Sequence, residues 1–181
     1  MTETPSLMVP LGTPLPSFAL PDSNGEIWSP ANKSSGTLVI FMCNHCPYVI
    51  HIASILVSIE EQCTSSNIQM VGINSNDISA YPLDSPENMS LTAQKYKWRF
   101  PYLFDTSQEI AKAFQATCTP DAFLYDASNC LYYRGQFDDS RPSNGVASGQ
   151  DLIHAIQEML EGLPPRIDQR PSTGCNIKWR V

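Results

Sequence analysis

Two cysteines stand three positions apart in the stretch FMCNHCPYVI, residues 41–50, with Asn44 and His45 between them and Pro47 directly behind. Sulfurs at that spacing have three fates. The pair can cycle between dithiol and disulfide, hold a soft metal ion, or lie inert in the core, since free cysteine is among the most buried residue types. The redox reading has a specific physical basis. If a helix begins at or just before Cys43, then Cys46 lies one turn further on and shares its face, so the two sulfurs can bridge. Unpaired backbone N–H groups and the positive end of the helix dipole then favour a thiolate at Cys43. The thiolate is the attacking form in disulfide exchange. Cys46 is expected to stay protonated until it resolves a mixed disulfide, and His45 adds a partial positive charge.

A zinc site normally takes four ligands, and the chain has no second close cysteine pair. Cu(I) would accept the two thiols with His45 and His51 as soft ligands. The expectation is no metal and no organic cofactor, because electrons in exchange travel through sulfur.

The elements that must hold this pair are legible in the pattern. GTLVIFM, residues 36–42, is a continuous apolar run, as in a strand buried on both faces, and IQMVGIN, residues 68–74, is a second. Between them, residues 47–62 read as one largely buried helix. Strand, helix and strand at this spacing imply a crossover with parallel strands. Upstream, Asp22–Gly25 is a hairpin turn signal. Downstream, NDISAYPLDSP reads as a surface loop, and Ser85 with Pro86 opens a helix. EIAKAFQA is a short helix, DAFLYD and LYYRGQFD form an antiparallel hairpin, and GQDLIHAIQEMLEG is an amphipathic helix stopped by Gly162 and Pro164. Residues 165–181 read as an irregular tail.

The 181 residues are enough for one domain with a real core, spanning 1–181. Eleven basic against 18 acidic residues leave a net charge of −7, which argues against nucleic acid or an anionic membrane as partner. The opening MTETPSLMVPLG has neither the basic start nor the apolar stretch of an export signal, so a cytoplasmic location is expected. In that compartment a close cysteine pair points to catalysis or metal binding, and the other four cysteines default to the core.

Five motifs carry a resemblance that covers nearly the whole chain: GTPLPSFALPDSNGEIW, CNHCPYV, CTPDAFLYD, LYYRGQFDDSRP and GCNIKW. Together they resemble the thioredoxin-like superfamily, in particular its peroxiredoxin-like and redoxin branch, related to AhpC/TSA. The resemblance implies an α/β fold with a central mixed sheet flanked by helices, an N-terminal hairpin and a helical insertion after the second strand. It implies a cis-proline at Pro120 facing the CxxC, with Thr119 presenting backbone groups to a bound polypeptide.

Three positions depart from the pattern. Ile40 stands where peroxiredoxins carry a threonine three residues before the reactive cysteine. Met42 replaces the thioredoxin tryptophan, and no acid occurs near Thr37, where thioredoxins keep a buried one. The reading is therefore a thiol-disulfide oxidoreductase. A thiol peroxidase is the first alternative and a Cu(I)-binding protein the second.

Its catalytic residues would be Cys43 and Cys46, supported by Asn44, His45, Thr119 and Pro120. Expected partners are a disulfide-bearing protein or small thiol, and a reductant such as a thioredoxin or glutathione system. Cys118, two residues before Pro120, and Cys175 in the tail are candidate auxiliary thiols, as a couple of their own or as a relay to Cys43. Asp138, Asp139 and Arg141 read as a solvated turn. Residues 74–77, NSND, end a parallel strand where open α/β sheets gather their sites, and read as a plain turn in preference to part of the active-site rim.

Overall fold

The computed structural model describes residues 3–180. Its centre is a five-stranded sheet ordered β6-β5-β4-β8-β9. The strands are β4 (Gly36–Phe41), β5 (Ile68–Asn74), β6 (Tyr102–Phe104), β8 (Asp121–Asp126) and β9 (Leu131–Gly135). β4, β5 and β6 run parallel, while β8 and β9 are antiparallel to their neighbours. The sheet is mixed, as the resemblance implies.

Every residue of β4 is buried, because both faces are covered. Leu38 and Ile40, with Met42 just beyond the strand, pack with residues of α1 (Pro47–Ile52), α2 (Ile55–Ser65), α3 (Pro86–Tyr96) and α5 (Gln150–Leu160). Val39 and Phe41 point the other way, into a cluster with Ala111 and Phe114 of α4 (Glu109–Phe114), and with Val9, Phe18 and Ile177. A period-two strand feeding two apolar cores needs apolar residues at every position, and GTLVIF supplies nearly that.

Most expected elements form. The turn at Asp22 closes a short hairpin of β2 (Leu20–Pro21) and β3 (Ile27–Trp28). Asp22 Oδ1 accepts from the backbone N–H groups of Asn24 and Glu26. Ser85 caps α3, its hydroxyl accepting from Asn88 N at 3.4 Å, with Pro86 in the first turn. Asn129 turns the β8–β9 hairpin with φ 58°.

Three features differ from the sequence reading. The helix over residues 47–62 is two helices, broken at Ala53 and Ser54. The buried indole N–H of Trp98 donates to the Ala53 carbonyl at 2.9 Å. A side chain inserted into the backbone ladder is a recognised cause of such breaks. β6 is a strand of three residues after Pro101, too short for a periodicity to mark.

The tail also departs from the irregular chain expected. Thr173–Asn176 form β10, which lies between β1 (Glu3–Pro5) and β7 (Cys118–Thr119) in a second, three-stranded antiparallel sheet. Four residues containing Gly and Asn have little strand propensity, so pairing on both edges holds them extended. Among the described residues no helix is long and apolar enough to cross a membrane.

Candidate active site

β4 ends at Phe41 and α1 begins at Pro47, so the CxxC occupies the turn between them. Both sulfur-bearing residues are buried, Cys43 to 1% exposure and Cys46 to 0%. The helix starts later than the spacing suggests. Cys46 is its N-cap residue, with φ −69° and ψ 122°, its carbonyl accepting from Ile50 N at 2.9 Å. Cys43 lies before the helix altogether.

The two sulfurs are in contact, and each sets the acidity of the other. The Cys43 thiol donates towards Cys46, which draws the Cys46 value down. Burial opposes this, but contacts with Cys175, Thr119 and the Val49 N–H work in the same direction, and Cys46 settles at about 5 against an ordinary 9.0. Cys43 is pushed well above its ordinary value by the same bond to Cys46, by burial and by the negative charge of Asp84. Their contact favours the charged form at Cys46 and the neutral form at Cys43. Thr119 contacts both sulfurs: its hydroxyl lies 3.5 Å from Cys43 Sγ, and its carbonyl accepts from the Cys46 thiol at 3.1 Å in the dithiol form.

A buried acid that the sequence reading did not identify lies beside the CxxC. NDISAYPLDSP is not wholly a surface loop, since its short 3-10 turn Pro82–Asp84 buries Asp84 completely. Asp84 Oδ1 accepts from Asn44 N at 2.8 Å, and Oδ2 accepts from Asn76 Nδ2 at 2.8 Å. The same Oδ2 lies 2.8 Å from His45 Nδ1. That close approach of Asp84 raises the His45 value above 6.5 against the opposing effect of burial. His45 also stacks on Tyr81 at 5.7 Å with an interplanar angle of 5°.

The two asparagines of NSND thus serve as supports, not as rim residues. Asn74 Nδ2 bonds the Asp84 carbonyl at 2.7 Å, and Asn76 Oδ1 accepts from Lys178 N in the tail at 2.8 Å. Asn44 ties the turn to the same loop, donating to Leu83 O and accepting from the Tyr102 hydroxyl. A sequence signal for Asp84 existed only in its neighbours, a proline before and a helix start behind, and neither encodes burial.

Pro120 follows a cis peptide bond, as the resemblance implies, and Thr119 before it touches both sulfurs. The edge beside it is not open, however. Thr119 is paired in register with Cys175 and Cys118 with Asn176, so β10 fills the position where a substrate polypeptide was expected to add. Residues directly opposite in an antiparallel pair share a face, which sets Cys175 on the Thr119 face and Cys118 on the other. The geometry therefore separates Cys118 from Cys175 as a couple. Cys118 faces the buried Asp121, and burial pushes its thiol far up.

Of the remaining candidates, Cys63 is buried on α2 and Cys130 is half-buried after the β8 turn. Asp138 is not part of a solvated turn. It is 7% exposed, and burial alone would raise it, but Ser140 and the N–H groups of Gly149 and Ser148 hold it at about 2. Asp139 is exposed and pairs with Arg170 at 2.7 Å. His51 Nε2 bonds Ser140 Oγ at 2.7 Å. Donor atoms of Cys43, His45 and Asp84 lie within 4.8 Å of one another and could hold a metal ion. Both Asp84 oxygens there already serve protein donors.

The sequence model of the AhpC/TSA family matches residues 11–134. The chain belongs to the AhpC/TSA family. No curated protein matches it. Two solved structures resemble it over nearly their full lengths, each with 42% identity and a TM-score of 0.95. One is a hypothetical protein from Sinorhizobium meliloti 1021, covering 98% of this chain and 99% of its own. The other is an uncharacterized conserved protein from Geobacillus kaustophilus, covering 99% and 97%. A thiol:disulfide interchange protein of the thioredoxin family from Chlorobium tepidum TLS aligns at 22% identity with a TM-score of 0.65. It covers 82% of this chain and 97% of its own, a likeness of fold alone. The fold is thioredoxin-like, and the family is the redoxin family the motifs resemble.

Proposed function

We propose that the protein is a thiol-disulfide oxidoreductase whose working couple is Cys43 and Cys46. The observation that carries this reading is the pair itself: two buried thiols in contact, one drawn down to about 5 and the other held protonated. A thiolate beside a thiol is the arrangement disulfide exchange needs. The Cys46 thiolate attacks one sulfur of a substrate disulfide, forming a mixed disulfide and expelling the other half as a thiolate. Cys43 then gives up its proton, attacks Cys46 Sγ and expels the second half. The substrate gains two electrons and the pair becomes a disulfide. Asp84 and His45 stand where the Cys43 proton leaves, in the role the absent strand acid would have had.

Because β10 closes the edge at Thr119 and both sulfurs are buried, the substrate class favoured is a small disulfide such as that of glutathione, reduced again by a dithiol or a second oxidoreductase. The assay is catalysed exchange between glutathione disulfide and a dithiol. Wild type should turn over and Cys46→Ser should be inert. Exchange by Cys46→Ser at the wild-type rate would sink the reading.

A peroxidase reading has one observation in its favour, a low-lying thiolate at Cys46 with a resolving thiol beside it in an AhpC/TSA chain. There Cys46 would take one oxygen from a hydroperoxide as a sulfenic acid, and Cys43 would expel it as water. Hydroperoxide consumption faster than disulfide exchange would favour that reading.

A further inference from the structure

The proposed couple leaves a third buried thiol unused. Cys175 is 2% exposed, belongs to the same apolar cluster as Cys43 and Cys46, and stands directly opposite Thr119. The Cys46 sulfur lies against the carbonyl of that same Thr119 at 3.1 Å. The Cys175 and Cys46 side chains are in hydrogen-bond contact. Cys46 is therefore the middle of three sulfurs, with Cys43 on one side and Cys175 on the other.

The placement of Cys175 is built, not incidental. Its strand is paired on both edges, Cys175 with Glu3 on one side and with Thr119 on the other. At Gly174 an added Cβ would meet the Thr119 carbonyl oxygen at 2.0 Å, so only glycine lets the tail backbone approach this closely. Beyond the strand, Lys178 is held by Asn76 and Gln108 through its backbone N–H and carbonyl. Its ammonium lies 5.6 Å from the centre of the Tyr81 ring, the ring that stacks on His45. The tail is thus tied to the loop that carries Asp84, and a shift of either would move Cys175 relative to Cys46.

We propose that Cys175 is a second resolving thiol for Cys46, so that the oxidised protein interconverts between a Cys43–Cys46 and a Cys46–Cys175 disulfide. This rests on the exchange reading above and extends it. The step balances within the chain. Cys175 loses its proton and attacks Cys46 Sγ, the Cys43–Cys46 bond breaks, and Cys43 leaves with the sulfur electron pair and takes up a proton. No external oxidant is consumed. The strand in the edge beside Pro120 acts as a tethered substrate, and the exchange returns Cys43 to the thiol form beside His45 and Asp84.

The test oxidises Cys43→Ser with glutathione disulfide, quenches in acid, blocks free thiols with N-ethylmaleimide and maps the peptides. The expected product is a Cys46–Cys175 bridge carrying no glutathione. A Cys46–glutathione adduct that persists beside a blocked Cys175 thiol overturns the proposal while leaving the exchange reading intact. The double variant Cys43→Ser/Cys175→Ser separates the two: it should hold glutathione on Cys46, and failure to do so counts against the exchange reading itself. Wild type half-oxidised in the same buffer needs no substitution. It should yield both bridged peptides, and a Cys43–Cys46 bridge with Cys175 fully blocked at every stage of oxidation overturns the proposal.

Discussion

Oδ2 of Asp84 lies 2.8 Å from Nδ1 of His45, in a cluster that brings the Cys43 sulfur within 4.8 Å of both. The carboxylate is fully buried, so its charge acts on its neighbours with little screening. It holds His45 towards the protonated form and Cys43 towards the thiol. The Asp84→Asn variant should lower the titration midpoint of His45, followed by NMR, and slow closure of the Cys43–Cys46 bridge by roughly 10²-fold, the lower end of general acid–base effects. The sign of the stability effect follows from the raised His45 value. The pair's contribution is fully present below the ordinary 6.5 and is lost as the pH rises through the folded midpoint. The variant should lose that slope; an unchanged midpoint and slope would exclude the ion pair as its cause.

Cys46 titrates at about 5, through bonds from Cys43 first and, against burial, from Cys175 and Thr119. Thiolate absorbance of the reduced protein should therefore appear on raising the pH through about 5, and it should vanish in Cys46→Ser. Cys43→Ala should shift the midpoint upward, since it removes the thiol that donates to Cys46. A midpoint of 9 in wild type would show that the Cys43 contact does not activate Cys46.

Asp121 is completely buried, and burial raises its carboxyl to about 8 against an ordinary 3.8. The folded state therefore holds a proton that the unfolded chain releases near pH 3.8. Stability from this group is full below 3.8 and declines as the pH rises towards 8. Asp121→Asn should flatten that decline and be more stable than wild type at pH 9, by at least ~1 kcal/mol on the scale of 1.36 kcal/mol per unit. Denaturant unfolding at pH 5 and pH 9 checks it, and equal slopes in the two proteins would refute it.

Gly174 sets the distance between the tail and the site. Its Cβ would fall 2.0 Å from Thr119 O and 3.2 Å from Pro120 N, both backbone atoms that cannot swing aside. Gly174→Ala should cost about 2–3 kcal/mol of stability, as overpacking does, with a shifted urea midpoint. A change within 0.5 kcal/mol would show that β10 is loosely held.

The parts of this architecture legible in the sequence are those written in local pattern. Strands β4 and β5 announce themselves as apolar runs, the Asp22 turn and the Ser85–Pro86 helix start carry their own chemistry, and the CxxC is visible as a spacing. What escaped depends on contacts between distant residues. Asp84 looks like any loop acid until Asn44, Asn76 and His45 converge on it. The break at Ala53 needs Trp98, and β10 needs two partner strands before GCN has reason to be extended. The late helix start is equally invisible in the spacing: the helix begins at Pro47, so Cys46 takes the cap and Cys43 falls outside it.

The central claim is that Cys43 and Cys46 form a reversible redox couple. A titration of the full chain in glutathione buffers, with every cysteine mapped by differential alkylation, tests it directly. Cys46 should lose alkylation in one two-electron transition, with the losses at Cys43 and Cys175 together matching it, while Cys63, Cys118 and Cys130 stay reactive once unfolded. If Cys43 and Cys46 remain thiols across the whole range, or remain bridged against excess reductant, the oxidoreductase account is wrong.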